Sequence, residues 1–201
     1  MMDTSSDQAQ PQPQLFANLY QLGTANSRIH IHPKYLNGSL NQAIVAQIRQ
    51  KVEGLCNRNG YVKKNSVSLL KRSVGLASSN ESNGYVSFDV FYQVSICHPV
   101  ANELYVCEIK TSNKLGFHVL PLFEETNKAL DPADNPLVII IPKQHVNAAL
   151  LPELKPSDRV VVRIIGSRFE LGDDKISVVG TITEKIGSDL SDLSDFLRNH
   201  A

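Results

Sequence analysis

The 201-residue sequence has no tryptophan, only three cysteines and no net charge. Three cysteines without a C-x-x-C pair exclude both a disulfide framework and a zinc site made of cysteine pairs. Cys56, Cys97 and Cys107 all stand beside apolar residues, so we expect them to be small buried hydrophobes. A net charge of zero argues against a protein that coats nucleic acid without discrimination.

Long apolar runs are also absent. No stretch approaches the ~20 residues that a membrane-spanning helix needs. The first 14 residues are polar and lack the basic flank and apolar core of a secretory signal. We therefore expect an intracellular protein without a membrane partner, and interpret residues 1–14 as a disordered tail.

Charge is unevenly distributed along the chain. Residues 15–103 carry nine basic and four acidic side chains, whereas residues 104–182 carry nine basic and ten acidic ones. Residues 1–14 and 183–201 each have a net charge of −2. The basic first half predicts an electronegative partner for that part of the molecule.

Residues 15–101 have the pattern of a small α+β domain. Leu40, Ile44, Ile48 and Val52 recur every four residues, which predicts a helix over 40–53. Ser39 and Gln42 suit a capping box at its start, and Gly54 suits its end. Strands are predicted over 15–22, 28–32, 61–70 and 86–96. The last of these has the clearest alternation of apolar and polar residues, and we expect one main helix on an antiparallel sheet.

Residues 102–187 have the pattern of an all-β domain. Five strands are predicted, over 104–110, 116–120, 137–141, 159–166 and 175–182, with a hairpin turn at 172–174 and a longer excursion at 123–136. This number of strands suits a five-stranded barrel of the OB type. Leucines and aspartates alternate in the acidic tail, 188–201, which suits a short amphipathic helix that docks on a partner.

The motifs of catalysis are missing. The sequence has no G-x-S-x-G, no phosphate-binding loop and no H-E-x-x-H. Asp173 and Asp174 fall in a predicted turn, where aspartate is favoured for geometry. His30 and His32 form an H-x-H pair without a pattern of further ligands. We expect no enzyme, no metal and no cofactor.

A collinear series of motifs resembles a known family. The series begins with I-x-I-x-P at 29–33, V-E-G-x-C at 52–56 and N-G-Y-V at 59–62, and continues with the long strand that ends in H-P at 98–99. It goes on with N-E-L-Y-V-C-E-I at 102–109, L-G-F at 115–117, D-R-V-V-V-R-I-I-G at 158–166 and I-S-V-V-G-T-I at 176–182. Over about residues 28–187 the chain resembles the stalk subunit, the seventh-largest, of archaeal and eukaryotic DNA-directed RNA polymerases.

The resemblance implies a non-catalytic subunit of two domains. A truncated ribonucleoprotein-like domain would dock near the clamp of the core polymerase, and an OB barrel would lie near the emerging transcript. Implied partners are the core polymerase subunits, a small helical fourth subunit and, weakly, nascent single-stranded RNA. A long polar start and Lys63-Lys64 depart from the family pattern and leave open a copy encoded by a large DNA virus. The location would be the nucleus for a cellular protein, and the cytoplasm and virion for a viral one.

Two groups of residues are candidates for these contacts. For docking on the polymerase, the family pattern points to the elbow after the helix: Val52, Glu53, Gly54, Arg58, Asn59, Gly60 and Tyr61. For RNA, the barrel offers Lys110, Lys114, Phe117, His118, Lys143 and Arg163. Phe117 and His118 are neighbours on a strand, so only one of them can face outward.

One alternative belongs to a different functional class. A free OB-fold RNA-binding module in translation or RNA decay would share the barrel but would have no need of the V-E-G-x-C elbow. A hydrolase or transferase would need a site assembled from residues that no motif marks. The first domain therefore discriminates between the stalk-subunit hypothesis and the free-module hypothesis.

Overall fold

The computed structural model describes residues 19–77, 84–122, 134–148 and 150–187. The predictions for both tails, for the start of the strand at 15–22 and for most of the excursion at 123–136 lie outside these residues. The described elements are β1 (Gln21–Ile31), α1 (Leu40–Val52), β2 (Cys56–Asn57), β3 (Gly60–Val62), β4 (Ser68–Arg72), β5 (Leu76–Ala77), β6 (Val86–Cys97), β7 (Leu104–Ser112), β8 (Gly116–Pro121), β9 (Leu137–Pro142), β10 (Arg159–Arg168) and β11 (Ile176–Gly187).

The long strand β6 organises the first sheet. It pairs antiparallel with β1 along one side, from Gln21↔Ile96 to Ile31↔Val86, and with β3, β4 and β5 along the other. The sequence predicted two short strands, 15–22 and 28–32. The described part of that stretch is instead one strand, because β6 offers an unbroken partner from 86 to 97. The predicted strand at 61–70 is divided into β3 and β4 by a turn at Asn65, which has a φ of 58°.

Helix α1 covers one face of this sheet. Ile44 and Ile48 are fully buried and share a core with Ile29, Val90 and other alternate residues of β1 and β6. The predicted helix is therefore confirmed, but its capping box is wrong. The Ser39 hydroxyl donates a hydrogen bond to the Asn37 side-chain oxygen (2.6 Å), which also accepts from the Ser39 N–H (2.8 Å). Asn37 thus forms the local turn, and the Ser39 side chain makes no cap hydrogen bond to the helix.

The second half of the described chain forms a closed barrel in the order β10-β11-β9-β8-β7. Only β9 and β11 among these neighbours run parallel. All five predicted strands and the 172–174 turn are present, so the α+β class and the five-stranded barrel are confirmed. Short 3-10 turns at Lys143–His145 and Leu151–Glu153 bring Val146 and Leu154 into the barrel core. Among the residues that the structure describes, no helix is long and apolar enough to cross a membrane.

Candidate functional site

The elbow after α1 is joined to the barrel by backbone hydrogen bonds. The Cys56 N–H donates to the Asp173 carbonyl (2.7 Å), and the Gly172 N–H donates to the Cys56 carbonyl (2.9 Å). Both backbone groups of Cys56 are therefore bonded to the turn between β10 and β11. We call this contact region, residues 56–61, 97–99 and 172–173, the interdomain joint.

Apolar packing reinforces the joint. Cys56, Tyr61 and Cys97 stand opposite one another on β2, β3 and β6, so their side chains share one face. All three are at most 5% exposed and belong to the same buried cluster as the barrel core. At its margin the His98 ring meets the edge of Phe169 with centroids 5.7 Å apart. The two domains consequently share one apolar core at this contact.

Burial holds the two thiols and the phenol of the joint in their neutral forms. Burial, with a smaller effect of Asp173 and Asp174, raises the pKa of the Cys56 thiol to about 11. Burial likewise raises the pKa of Cys97 and of the Tyr61 phenol. A thiol that stays protonated at neutral pH is a poor nucleophile. These cysteines therefore serve packing.

Part of the predicted docking set makes structural contacts within the first domain. Glu53 accepts a hydrogen bond from the Val67 N–H (3.0 Å), and its carboxylate lies 3.7 Å from Arg49 Nε with only 9% of the side chain exposed. Gly60 has a φ of 126°, and a Cβ there would collide with the Cys97 carbonyl oxygen. Tyr61 is 5% exposed.

The remaining docking candidates are more accessible. Arg58 and Asn59 form the exposed tip of the β2–β3 hairpin. Asn57 holds this tip by accepting the Asn59 N–H on its side-chain oxygen (2.7 Å). Val52 and Gly54 are half-buried, and Gly54 ends α1 with a φ of 76°. Only the hairpin tip thus offers fully exposed side chains from the predicted set.

Most of the predicted RNA residues meet at one edge of the barrel. Lys110 lies on β7, Lys114 in the β7–β8 turn and His118 on β8 opposite Thr111. Lys143 follows β9, and its N–H bonds to the carbonyl of Leu115 in the same turn (3.1 Å). Among them Lys110 and Lys114 are exposed, while His118 and Lys143 are half-buried.

Two candidates are placed elsewhere. Phe117 is 3% exposed and lies in the barrel core, so His118 is the outward-facing member of the pair. A ring in that position has no face open to a base. Arg163 is exposed, but it pairs with Leu104 at the far end of β7. Six residues of strand separate Leu104 from Lys110, which is about 20 Å at strand spacing.

Sequence reasoning missed an exposed apolar strip beside His118. Ile140 stands opposite His118 and next to Val179, and these two side chains are 48% and 40% exposed. The fully apolar run of β9 indicates burial on both faces, which concealed the outward position of Ile140. Among the described barrel residues Tyr105 and Phe117 are buried and Phe169 is half-buried. This part of the barrel therefore exposes no large aromatic ring fully.

The H-x-H pair has local roles. His32 accepts the Lys34 N–H on Nδ1 (3.2 Å) at the start of the 3-10 turn Pro33–Tyr35. His30 Nδ1 lies 3.0 Å from the Ser87 hydroxyl. Within the described ranges no group of three or more His, Cys, Asp or Glu side chains is arranged to hold a metal ion.

The sequence of the chain is similar to that of a known polymerase subunit. No protein-family model matches the chain. The chain is 28% identical over 172 residues to DNA-directed RNA polymerase II subunit rpb7 of Dictyostelium discoideum, a match that covers 80% of this chain and 93% of that protein. The match is long enough to include both the sheet and the barrel. The resemblance to the seventh-subunit family is thereby confirmed, and the chain is similar to an RNA polymerase subunit of the rpb7 type along nearly that subunit's whole length.

Proposed function

We propose that the chain is a non-catalytic stalk subunit of a multisubunit DNA-directed RNA polymerase, docking on the core enzyme near its clamp and contacting nascent RNA. The observation that supports this most is the similarity to a polymerase subunit over 93% of that subunit's length. A match confined to the barrel would have favoured a free RNA-binding module. The elbow motifs lie in the first domain, where such a module would not need them.

Docking is proposed to use the exposed tip of the β2–β3 hairpin. Arg58 and Asn59 are its accessible side chains, and Lys63 and Lys64 lie exposed after β3. The joint holds this tip at a set position relative to the barrel, which lowers the entropy lost when both bind one large partner. The positive charge suits an acidic surface on the core polymerase, and a small helical fourth subunit is proposed as a further partner.

RNA contact is proposed at the barrel edge formed by Lys110, Lys114, His118 and Lys143. The net charge of residues 104–182 is −1, so the phosphate contribution to affinity is small and sensitive to salt. Contact of this strength becomes effective when the polymerase holds the transcript at high local concentration. The protein would follow the polymerase it serves: the nucleus for a cellular enzyme, the cytoplasm and virion for a viral one.

The test is affinity purification of the tagged full chain from its native cells at moderate salt. We expect the two largest polymerase subunits to be recovered in near-equal amounts. Arg58→Glu should weaken that recovery, because it reverses the charge of the docking tip. Lys155→Glu is the control for charge reversal, since Lys155 is an exposed cation of the barrel outside the docking tip, the joint and the proposed RNA edge. Recovery of ribosomes or nucleases without polymerase would contradict the proposal in favour of the free module.

A further inference from the structure

The outer surface of the barrel has one region in which apolar side chains are buried. Along a barrel strand, residues that face the core alternate with residues that face outward. Val106 on β7 and Val161 on β10 are cross-strand partners, and both occupy outward positions because the residues on either side of them belong to the barrel core. Their side chains are nevertheless only 2% and 3% exposed.

Two leucines at the end of β8 extend this region. Leu120 stands opposite Glu108 on β7, and the Leu122 N–H donates to the Val106 carbonyl (2.9 Å). Both leucine side chains are buried. Neither they nor the two valines belong to the barrel core or to the core under α1. We call these four residues, Val106, Leu120, Leu122 and Val161, the outer patch.

Outward apolar side chains elsewhere on the barrel remain accessible. Ile140 on β9 and Val179 on β11 are both exposed, although they are as apolar as the members of the outer patch. An outward side chain that is almost completely buried needs neighbours on its outer side, because water would otherwise reach it. The outer patch therefore marks a place where a further segment packs on the barrel.

Arg159 borders the outer patch with an unsatisfied polar atom. It lies two residues before Val161 on the same side of β10, and it pairs with Gly187 on β11. Its Nη1 atom is buried and has no hydrogen-bond partner in the part of the chain that the structure describes, although Glu108 stands opposite on β7. A buried charged donor without an acceptor is costly, so a carboxylate placed beside Arg159 would stabilise the fold.

The acidic tail, 188–201, begins next to Arg159. Strand β11 ends at Gly187, which is the cross-strand partner of Arg159. From β11 the outer patch extends across β10 and β7 to β8, a distance of three strand spacings or about 14 Å. A helix of ten residues is about 15 Å long. The 14 residues that follow Gly187 are therefore enough to cross the outer patch.

The residue pattern of the acidic tail matches the outer patch. Placed on a helix, Leu190, Leu193 and Leu197 share one side. Asp189 lies at the border of that side and only two residues beyond Gly187, whereas Asp195 lies on the opposite side. The leucines thus match the apolar side chains of the patch, and the carboxylate beside them matches the guanidinium at its border.

We propose that the acidic tail of this chain packs on the outer patch, with its leucines against Val106 and Val161 and with Asp189 paired to Arg159. The inference goes beyond the proposed function and does not depend on it, since the polymerase takes no part in the contact. The tail is favoured over a second copy of the chain or another protein, because its covalent connection at the border of the patch gives it a high effective concentration there.

The experiment measures how fast a thiol in the outer patch reacts with a maleimide. Val161→Cys is prepared in the full chain and in a chain that ends at Gly187; the native cysteines are buried and give a low background. We expect truncation to raise the labelling rate at least about tenfold, which corresponds to about 1.4 kcal/mol. Ile140→Cys is the matched control, because Ile140 is an outward, exposed residue of the same barrel and should react equally fast in both chains.

A second pair of variants tests the ion pair in the full chain. In the Val161→Cys background, Asp189→Asn should raise the labelling rate by about fivefold, because it weakens a hydrogen bond to a charged group. Asp195→Asn is the matched control, since it makes the same change in charge on the opposite side of the tail and should leave the rate unaltered. Circular dichroism verifies the fold of each variant, and the full-length pair keeps the test decisive if the truncated chain fails to fold.

The outcomes distinguish the tail from other segments and partners. Equal labelling rates for Val161→Cys in the full and truncated chains would overturn the inference, because the tail would then not cover the outer patch. Slow labelling only at high protein concentration would overturn it in favour of a second copy of the chain. Fast labelling of the purified full chain that becomes slow in a cell extract would overturn it in favour of another protein. Slow labelling that is independent of concentration and lost on truncation supports the tail.

Discussion

At the scale of single residues, Gly60 shows how a motif residue can serve the fold. Its φ of 126° lies in a region that side chains rarely adopt, and a Cβ would overlap the Cys97 carbonyl oxygen on β6. The absence of a side chain therefore lets β3 approach β6 at the point where both meet the barrel. The glycine of the N-G-Y-V motif serves this close approach.

Replacing Gly60 should consequently destabilise the joint. We expect Gly60→Ala to lower the free energy of unfolding by about 2 to 4 kcal/mol, through strain and displacement of β3. Gly38→Ala is the control, since a Cβ there meets nothing within 4 Å; its effect should stay within about 1 kcal/mol. Urea denaturation of both variants measures the difference, and equal stabilities would contradict the steric argument.

The pair Phe117 and His118 marks the limit of prediction at this scale. The two-residue period of a strand correctly shows that one of them faces the core. Which one does so depends on the register of β8 against β7 and β9, and the structure buries the phenylalanine. Its placement leaves His118 as the outward member, beside Ile140 rather than beside another ring.

At the scale of secondary-structure elements, Glu53 ties the end of α1 to the start of β4. Its carboxylate accepts the Val67 N–H, one residue before β4 begins, and lies near Arg49 in the last turn of the helix. Val67 itself is 4% exposed and belongs to the core under α1. The V-E-G-x-C motif therefore has a structural role in this domain.

Removal of this carboxylate should loosen the first domain. Glu53→Ala leaves the Val67 N–H without its acceptor at a nearly buried site, and we expect a loss of about 1 to 3 kcal/mol. Arg49→Ala removes only a half-exposed partner at 3.7 Å, so it should cost less than about 1 kcal/mol. Chemical denaturation and amide exchange at Val67 measure both effects. Equal losses in the two variants would show that the ion pair, not the backbone bond, is what matters.

The boundaries of a helix or strand were predicted well where the segment packs on one continuous core. They were predicted poorly where parts of one segment pair with different parts of another strand. Helix α1 and strand β6 match their periodic patterns closely, because each packs on one continuous core. The segment at 61–70 was predicted as one strand from its local apolar content. It is divided because β3 and β4 pair with different parts of β6, and the turn at Asn65 is needed between them.

At the scale of the whole molecule, the joint packs three residues of the first sheet into the core of the barrel, beside the separate core under α1. Backbone bonds at Cys56 and the buried side chains of Tyr61 and Cys97 link the first sheet to the barrel. The residues before β7 add to this contact, since the Ser167 hydroxyl donates to the Pro99 carbonyl (2.9 Å). A molecule joined in this way should unfold as one unit rather than as two.

The buried thiol of Cys56 in the joint makes the free energy of unfolding depend on pH. The pKa of Cys56 rises from 9.0 to about 11 on folding, so the folded chain holds the thiol proton more tightly than the unfolded chain. The contribution of this shift to the free energy of unfolding is fully present below pH 9. It is lost as pH rises from about 9 to about 11, by at most about 1.4 kcal/mol per pH unit for each such group. Cys97 and Cys107 shift in the same direction.

Urea denaturation at a series of pH values, followed by far-ultraviolet circular dichroism and tyrosine fluorescence, measures this dependence. We expect coincident single transitions by both probes and a fall in stability that begins near pH 9. Cys56→Ala should make the fall less steep, whatever its effect at neutral pH. A pH-independent stability up to pH 11 would show that the thiols ionise freely and that the joint opens readily.

The sequence by itself determined the classes of structure in this protein. Periodic apolar residues specify a helix, a long central strand and five barrel strands, because burial of one face is a local requirement that each segment must meet. The collinear motifs likewise determined the resemblance to polymerase stalk subunits. Only the tertiary structure decided that Cys56, Tyr61 and Cys97 meet the barrel and that Phe91, in the middle of β6, stays 49% exposed. Such contacts join residues far apart in the chain, and strand register and domain packing, which no local pattern encodes, bring them together.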